Sequence, residues 1–340
     1  MNPLERHLKD LISHSGPVDV PTFMGLAVGH YYSTRDPFGV NGDFTTAPEI
    51  SQMFGEMIGV FLADAWVKMD SPSPVVLCEA GPGRGTLMAD VLRATKNVPG
   101  FHDALQVHLI EMSPVLRERQ KEALDGFAVT WHNDLDALPE LPMLFVGNEF
   151  LDALPIVQMI WNGAHWHERR VGLDGDTFIF GMAQPHFPPP KVLGQPETGS
   201  IFEFSPARHD FTGKLSVHLG RYKGIGLLID YGHDHTAMGD TLQAVKKHQF
   251  VDVLNDVGEA DLTSHVDFEA VGNAAAPYVT VHGPIGQGDF LQAMGIALRA
   301  ARLGKEDDAK RLVADDQMGR LFRVMALCHD PKIQLAGFTS

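Results

Sequence analysis

Only two cysteines occur in 340 residues, Cys78 and Cys328, so neither a disulfide framework nor a cysteine-built zinc site is available. That scarcity fits a reducing compartment. No apolar run approaches the roughly 20 residues that a membrane span requires. Basic residues are also in deficit: 27 Lys and Arg against 43 Asp and Glu leave a net charge of -16, which disfavours the basic face that nucleic acid needs. The opening residues, Met1 to Asp10, mix both charge signs. They lack a signal-peptide core and do not follow the acid-poor, Arg-rich pattern of a transit peptide. A bacterial cytoplasm is the expected address, and a mitochondrial one only if a transit peptide is missing from this chain. No GxxxxGK[ST] phosphate loop occurs. His165-Trp166-His167 and His233-Asp234-His235 both lack the His-x-x-x-His spacing of a helical metal pair, so no metal site is expected.

The composition that remains, 44% apolar and 21% charged, is that of an ordinary globular protein. The length favours one core carrying an insertion. Residues 1-70 read as an N-terminal helical segment. Residues 71-160 and 222-340 read as the core, and 161-221 as an insertion or lid. Apolar residues at steps of three and four from Ile50 to Met69 predict a long helix, with Thr46 and Glu49 as its capping box and Pro48 in its first turn. Short apolar strands then alternate with amphipathic helices: Val75-Leu77, Val107-Ile110, Ala128-Trp131 and Met143-Val146 are the strands. That order implies a mostly parallel, doubly wound sheet with right-handed crossovers. Later, Ile156-Trp161 and His165-Val171 read as a hairpin, 181-200 as a loop and about 203-220 as a helix. Ile225-Ile229 and Tyr278-His282 are further strands, and Phe290-Arg302 is a further helix.

The chemistry concentrates at the ends of these strands. Glu79-Ala80-Gly81-Pro82-Gly83-Arg84-Gly85 follows the first one, and its glycines let a ligand approach the backbone. The spacing is not the GxGxxG of a dinucleotide fold, and Glu79 would oppose a pyrophosphate. A carboxylate there favours S-adenosylmethionine (SAM), whose sulfonium is cationic; a purely structural turn is the alternative. Glu111, ending the second strand, can accept hydrogen bonds from both ribose hydroxyls, or can serve as an N-terminal helix charge. Asn133 and Asp134 follow the third strand, where Asp134 could meet the adenine or form a turn pair. The fourth strand ends in Asn148-Glu149-Phe150-Leu151-Asp152-Ala153-Leu154-Pro155. Asn148, Glu149 and Asp152 are candidate catalytic residues there: paired carboxylates can hold a guanidinium in bidentate fashion and help withdraw a proton. Helix capping by Asn148 or Asp152 is the alternative.

Several segments together resemble the MidA-like methyltransferases, which include the mitochondrial complex I assembly factor that methylates a protein arginine. They are Gly42-Asp43-Phe44-Thr45-Thr46-Ala47-Pro48-Glu49, the run from Glu79 to Thr86, Asn148 to Pro155, Asp230-Tyr231-Gly232, Glu259 to Phe268 and Gly283 to Gly288. The resemblance implies a Rossmann-like α/β fold that uses SAM, with extra segments around a substrate cleft. Thr45, Thr46, Pro48 and Glu49, with Asp230 and Tyr231, are then expected at that cleft, and Glu79, Gly81, Pro82, Gly83, Gly85, Glu111 and Asp134 at the cofactor. The implied activity is methylation of a protein arginine, on a respiratory complex I subunit or its bacterial counterpart. A non-catalytic assembly chaperone on the same fold is the competing reading, because fold alone does not guarantee turnover.

Overall fold

A computed structural model of the chain describes residues 2–35, 43, 45–188 and 196–338. Its centre is an eight-stranded sheet. Seven strands run in the order Thr280–Gly286, Phe322–Cys328, Gly224–His233, Met143–Asn148, Val75–Ala80, Leu105–Ile110, Val129–His132, and the short strand Val266–Asp267 pairs with Gly224–His233. All neighbours from Gly224–His233 to Val129–His132 are parallel, while Phe322–Cys328 lies antiparallel between its two partners. Every residue of Val75–Ala80 and Met143–Asn148 is buried. Continuous apolar runs of this kind belong in the middle of a parallel sheet covered on both faces. Strand order reverses between those two strands, and the crevice at such a switch point is where ligands bind in this architecture.

Helices cover both faces. On one, Gln52–Lys68 packs against Thr86–Thr95, and a Cβ at Gly55 would stand 2.5 Å from the Asp90 Cβ, so glycine permits the close approach. Glu56, buried in the same helix, accepts hydrogen bonds from Arg93 and Arg299, tying it to Thr86–Thr95 and Ile296–Leu303. The other face carries Pro206–Tyr222 and Phe268–Ala275.

A separate apolar cluster joins the N-terminal helices Pro3–Ser15 and Val20–Thr34 to two small antiparallel sheets. The larger one contains Val157–Trp161, Trp166–Asp174, Thr177–Ala183 and Ile201–Phe204, together with the N-terminal Val18–Asp19. The smaller one is Gln249–Val251, Gln243–Lys246 and Asp261–Thr263.

Several sequence-based expectations differ from this arrangement. The Ile50–Met69 periodicity does not extend through a cap at Thr46: Ala47–Ile50 is a separate turn, Thr46 makes no side-chain cap bond, and extended Ser51 starts the long helix. Glu49 is drawn instead to the Thr86 hydroxyl. Phe290–Arg302 is two helices, Gln287–Ala293 and Ile296–Leu303, because Gly295 turns left-handed at φ 89°. The expected lid over 161-221 is divided, since Leu215 and Leu219 of Pro206–Tyr222 pack on the central sheet. The helix Val20–Thr34 falls within the expected N-terminal helical segment and buries Val20, Phe23, Met24, Ala27 and Tyr31. Part of the 181-200 loop, together with Gly42 and Phe44, lies outside the described residues.

Candidate active site

Gly81, Gly83 and Gly85 adopt φ of 63°, 54° and 85°. Such left-handed backbone strains any residue with a Cβ, which explains glycine at alternate positions. At Gly81 a Cβ would also come within 2.9 Å of the Phe150 ring, so the turn and the loop after Met143–Asn148 touch. A cavity of about 840 Å³ opens between them, lined by Glu79, Gly81, Pro82 and Gly83 on one side and by Asn148, Glu149 and Asp152 on the other. Gly85 stands behind that wall, capping Thr86–Thr95 against Gln120. Glu79 is 2% exposed and accepts a hydrogen bond from the Met88 backbone. Burial pushes its carboxyl up to about 8, and its Oε2 has no hydrogen-bond partner among the described residues.

Glu111 lines the same cavity. Its Oε1 accepts from the Ser113 backbone at 2.7 Å, and its Oε2 from Gln120 Nε2 at 3.2 Å. Gln120, fully buried, also donates to the Gly83 carbonyl at 2.8 Å and accepts from the Trp131 indole at 2.8 Å. It thereby braces the glycine turn against two neighbouring strands. Asp134 reaches the cavity wall while its Oδ1 accepts from Asp136 N, so the turn role and a cavity position coexist. Asn133 accepts from Arg117.

The loop after the fourth strand is built with equal economy. Glu149 takes φ 50°, unusual for a side-chain-bearing residue and a conformation that concentrates at functional sites. Its Oε1 accepts from Ala47 N at 3.1 Å and from Asn148 Nδ2 at 3.2 Å. Burial pushes its carboxyl up to about 8. Asp152 accepts from the Tyr231 hydroxyl at 2.8 Å, and burial raises its carboxyl too. Asp152 Oδ1 and Asn148 Oδ1 are buried without partners among the described residues. Asp230 is not on the cavity wall, which corrects its expected position at the cleft. Its Oδ2 accepts from the Leu151 and Asp152 backbones and its Oδ1 from Tyr231 N, so it fixes the loop from behind. Tyr231 itself lines the cavity.

Thr45, Thr46, Pro48 and Glu49 all line the cavity, and their segment spans its two halves. The Thr86 hydroxyl donates to Glu49 Oε1 at 2.6 Å on the glycine-turn side, while Ala47 N reaches Glu149 on the other.

Three further residues complete the site, among them Tyr32, for which the sequence leaves open a place in the substrate cleft or packing against the long helix, with core packing favoured. Tyr32 and Asp261 line the cavity. Arg208, 6% exposed, donates to the carbonyls of Leu151 at 2.7 Å, His265 at 2.7 Å and Ser264 at 3.1 Å. It locks the 149-154 loop to the segment after Asp261–Thr263 and carries positive charge beside Asp152 and Asp230. The only available sequence signal for Asp261 was its place in the Glu259-to-Phe268 segment; for Arg208 there was none.

A glycine cradle that a Cβ would fill, an orphaned carboxylate oxygen beside it and a second carboxylate on the next strand make a donor set suited to a cationic, ribose-bearing ligand. Residues 57–285 match the family described as "Putative S-adenosyl-L-methionine-dependent methyltransferase". The chain belongs to this family. It is 34% identical to the Drosophila melanogaster mitochondrial protein arginine methyltransferase NDUFAF7 homolog, over 99% of this chain and 88% of that protein. To the mitochondrial Homo sapiens NDUFAF7 it is 31% identical, over 98% of this chain and 85% of that protein. Among solved structures, a "likely methyl transferase" from Burkholderia thailandensis bound to S-adenosyl-homocysteine superposes with a TM-score of 0.85 at 26% identity, covering 99% of this chain and 94% of that one. The protein is therefore a SAM-dependent methyltransferase with the Rossmann-like α/β fold expected from its strand order. Among the described residues, no helix is long and apolar enough to cross a membrane.

Proposed function

We propose that the protein methylates an arginine side chain of a protein, with a subunit of respiratory complex I, or its bacterial counterpart, as the target. The observation that carries this reading is the surplus of buried, partnerless acceptors beside the glycine turn, on Asp152 and Asn148, in a pocket where burial pushes the carboxyls of Glu79, Glu111, Glu149, Asp152 and Asp261 upward. Such a pocket is complemented by a buried cation with several N–H donors. The relatives named as protein arginine methyltransferases support the same acceptor.

In this reading Gly81, Pro82 and Gly83, with Glu79 behind them, hold the amino-acid end of SAM. Glu111 accepts from its ribose and Asp134 lies near its adenine. SAM supplies a methyl group made electrophilic by the sulfonium. Glu149 and Asp152 accept N–H bonds from the guanidinium, which arrives charged because its pKa exceeds about 12. They turn one nitrogen toward the cofactor side. The new N–C bond would form as the methyl's bond to sulfur breaks, leaving S-adenosylhomocysteine, and Glu149 is placed to receive the one proton that the nitrogen loses. Asn148 orients Glu149 through its amide.

The test is transfer of isotope-labelled methyl from SAM into protein extracts of cells lacking the gene, followed by peptide mass spectrometry. A methylarginine peptide that is absent after deletion and restored by the enzyme is the expected result. Label on another residue type, or no label, would overturn the arginine assignment. Glu149→Gln and Asp152→Asn should each lower transfer by about 100-fold or more while S-adenosylhomocysteine still binds. An assembly chaperone acting without turnover would show full biological complementation by both variants.

A further inference from the structure

The small sheet formed by Gln243–Lys246, Gln249–Val251 and Asp261–Thr263 supplies a wall of the cleft that no role above accounts for. Asp261 sits at the start of its strand, opposite Val245, and is 6% exposed. The Tyr32 hydroxyl donates to it. Its Oδ1 has no hydrogen-bond partner among the described residues, the same condition as Asp152 Oδ1. Both residues line the one cavity, and after burial itself the Asp152 charge is the strongest influence raising the Asp261 carboxyl. The two carboxylates thus stand within electrostatic reach, one on the small sheet and one on the 149-154 loop. Arg208 does not bridge them: its Nε, Nη1 and Nη2 go to the Leu151, His265, Asp152 and Ser264 carbonyls and the Ser264 hydroxyl. Nor does Asp43, whose oxygens accept from the Tyr31 hydroxyl and from Lys247 N.

Two buried carboxyls within reach of each other favour their protonated forms in the empty pocket, and a cation placed between them lets both ionise. An ammonium is a compact point charge with three donors. A guanidinium is a flat fork whose donors point in opposed directions, so it can meet carboxylates on two walls at once.

We propose that Asp261 and Asp152 are the opposed halves of a guanidinium clamp, and that this clamp makes the cleft select arginine over lysine. The inference rests on the arginine reading given above and adds a selectivity residue to it. Tyr32 holds Asp261 in place from the helix Val20–Thr34 and acts as a positioning residue.

Calorimetric titration of the S-adenosylhomocysteine-loaded protein with N-ethylguanidinium and with n-butylammonium tests it. The wild type should bind ethylguanidinium about 10-fold more tightly than butylammonium. Asp261→Asn should weaken ethylguanidinium by about 10-fold and abolish the preference, with S-adenosylhomocysteine affinity within about twofold of wild type. Tyr32→Phe should reduce the preference in the same direction, by about threefold. If Asp261→Asn keeps the wild-type preference while Asp152→Asn loses it, the clamp is wrong and the arginine reading stands. If the wild type prefers butylammonium, or binds neither cation, both fall. Should Asp261→Asn fail to bind S-adenosylhomocysteine, Tyr32→Phe decides, and an unchanged preference there overturns the clamp.

Discussion

At Gly81 two constraints coincide: a φ of 63° and a Phe150 ring 2.9 Å from where a Cβ would stand. Gly81→Ala should therefore destabilise the protein by about 1–3 kcal/mol and weaken SAM binding, as thermal melts and titration would report. An unchanged melt would show that Phe150 yields freely. Glu111→Ala removes an acceptor held by Ser113 N and Gln120, and should weaken SAM by about 1.5–3 kcal/mol. Equal affinity in the variant would remove Glu111 from the cofactor site. Both residues were legible from sequence, because alternate glycines after an apolar strand and an acid at the next strand end are local patterns. Gln120 was not legible. Its three bonds run to a turn, a strand end and an indole that meet only in the folded sheet.

The element that most needs explanation is the 149-154 loop, which carries two buried carboxyls. Its backbone is fixed from opposite directions, by Asp230 through the N–H groups and by Arg208 through the carbonyls. Arg208→Met should cost about 3–5 kcal/mol, because it leaves buried carbonyls unpaired and removes the charge facing Asp152 and Asp230. Arg208→Lys should recover little of this, since an ammonium cannot reach four separate carbonyls. Denaturant titration measures both, and full stability in the lysine variant would refute the bridging role. The Thr45-to-Glu49 segment teaches a related lesson. Its Thr-x-x-Glu spacing matches a capping box, yet the glutamate is used by Thr86 and the first helical turn is separate. A capping pattern says which bonds are available locally, and a partner 37 residues away outbid it.

For the whole molecule, the buried acids set a pH dependence. Glu79 and Glu149 are each raised by burial to about 8, against about 4.3 for an unfolded glutamate. The folded state then holds more protons than the unfolded one between those values, so stability is present at low pH and lost as pH rises through about 8. His108, lowered by burial to about 4, acts oppositely, but only below about 6.5 where the unfolded imidazole charges. The melting temperature of the ligand-free protein should therefore fall between about pH 6.5 and 8, and Glu149→Gln should flatten that slope. A rising or flat wild-type profile would contradict the burial of these groups. The same ionisation favours a cationic ligand, so guanidinium affinity should rise across that interval.

The alternation of apolar strands and helices, the glycine turn and the acids at successive strand ends are short-range patterns, and they sufficed to specify a doubly wound sheet and its methyl donor. The small sheet bearing Asp261, the place of Tyr32 on the cavity wall and the Arg208 strut were decided only by tertiary structure. Their value lies in which buried polar atoms are left with or without a partner. That depends on contacts between residues tens to hundreds of positions apart, such as Ala47 with Glu149, and no local periodicity records it.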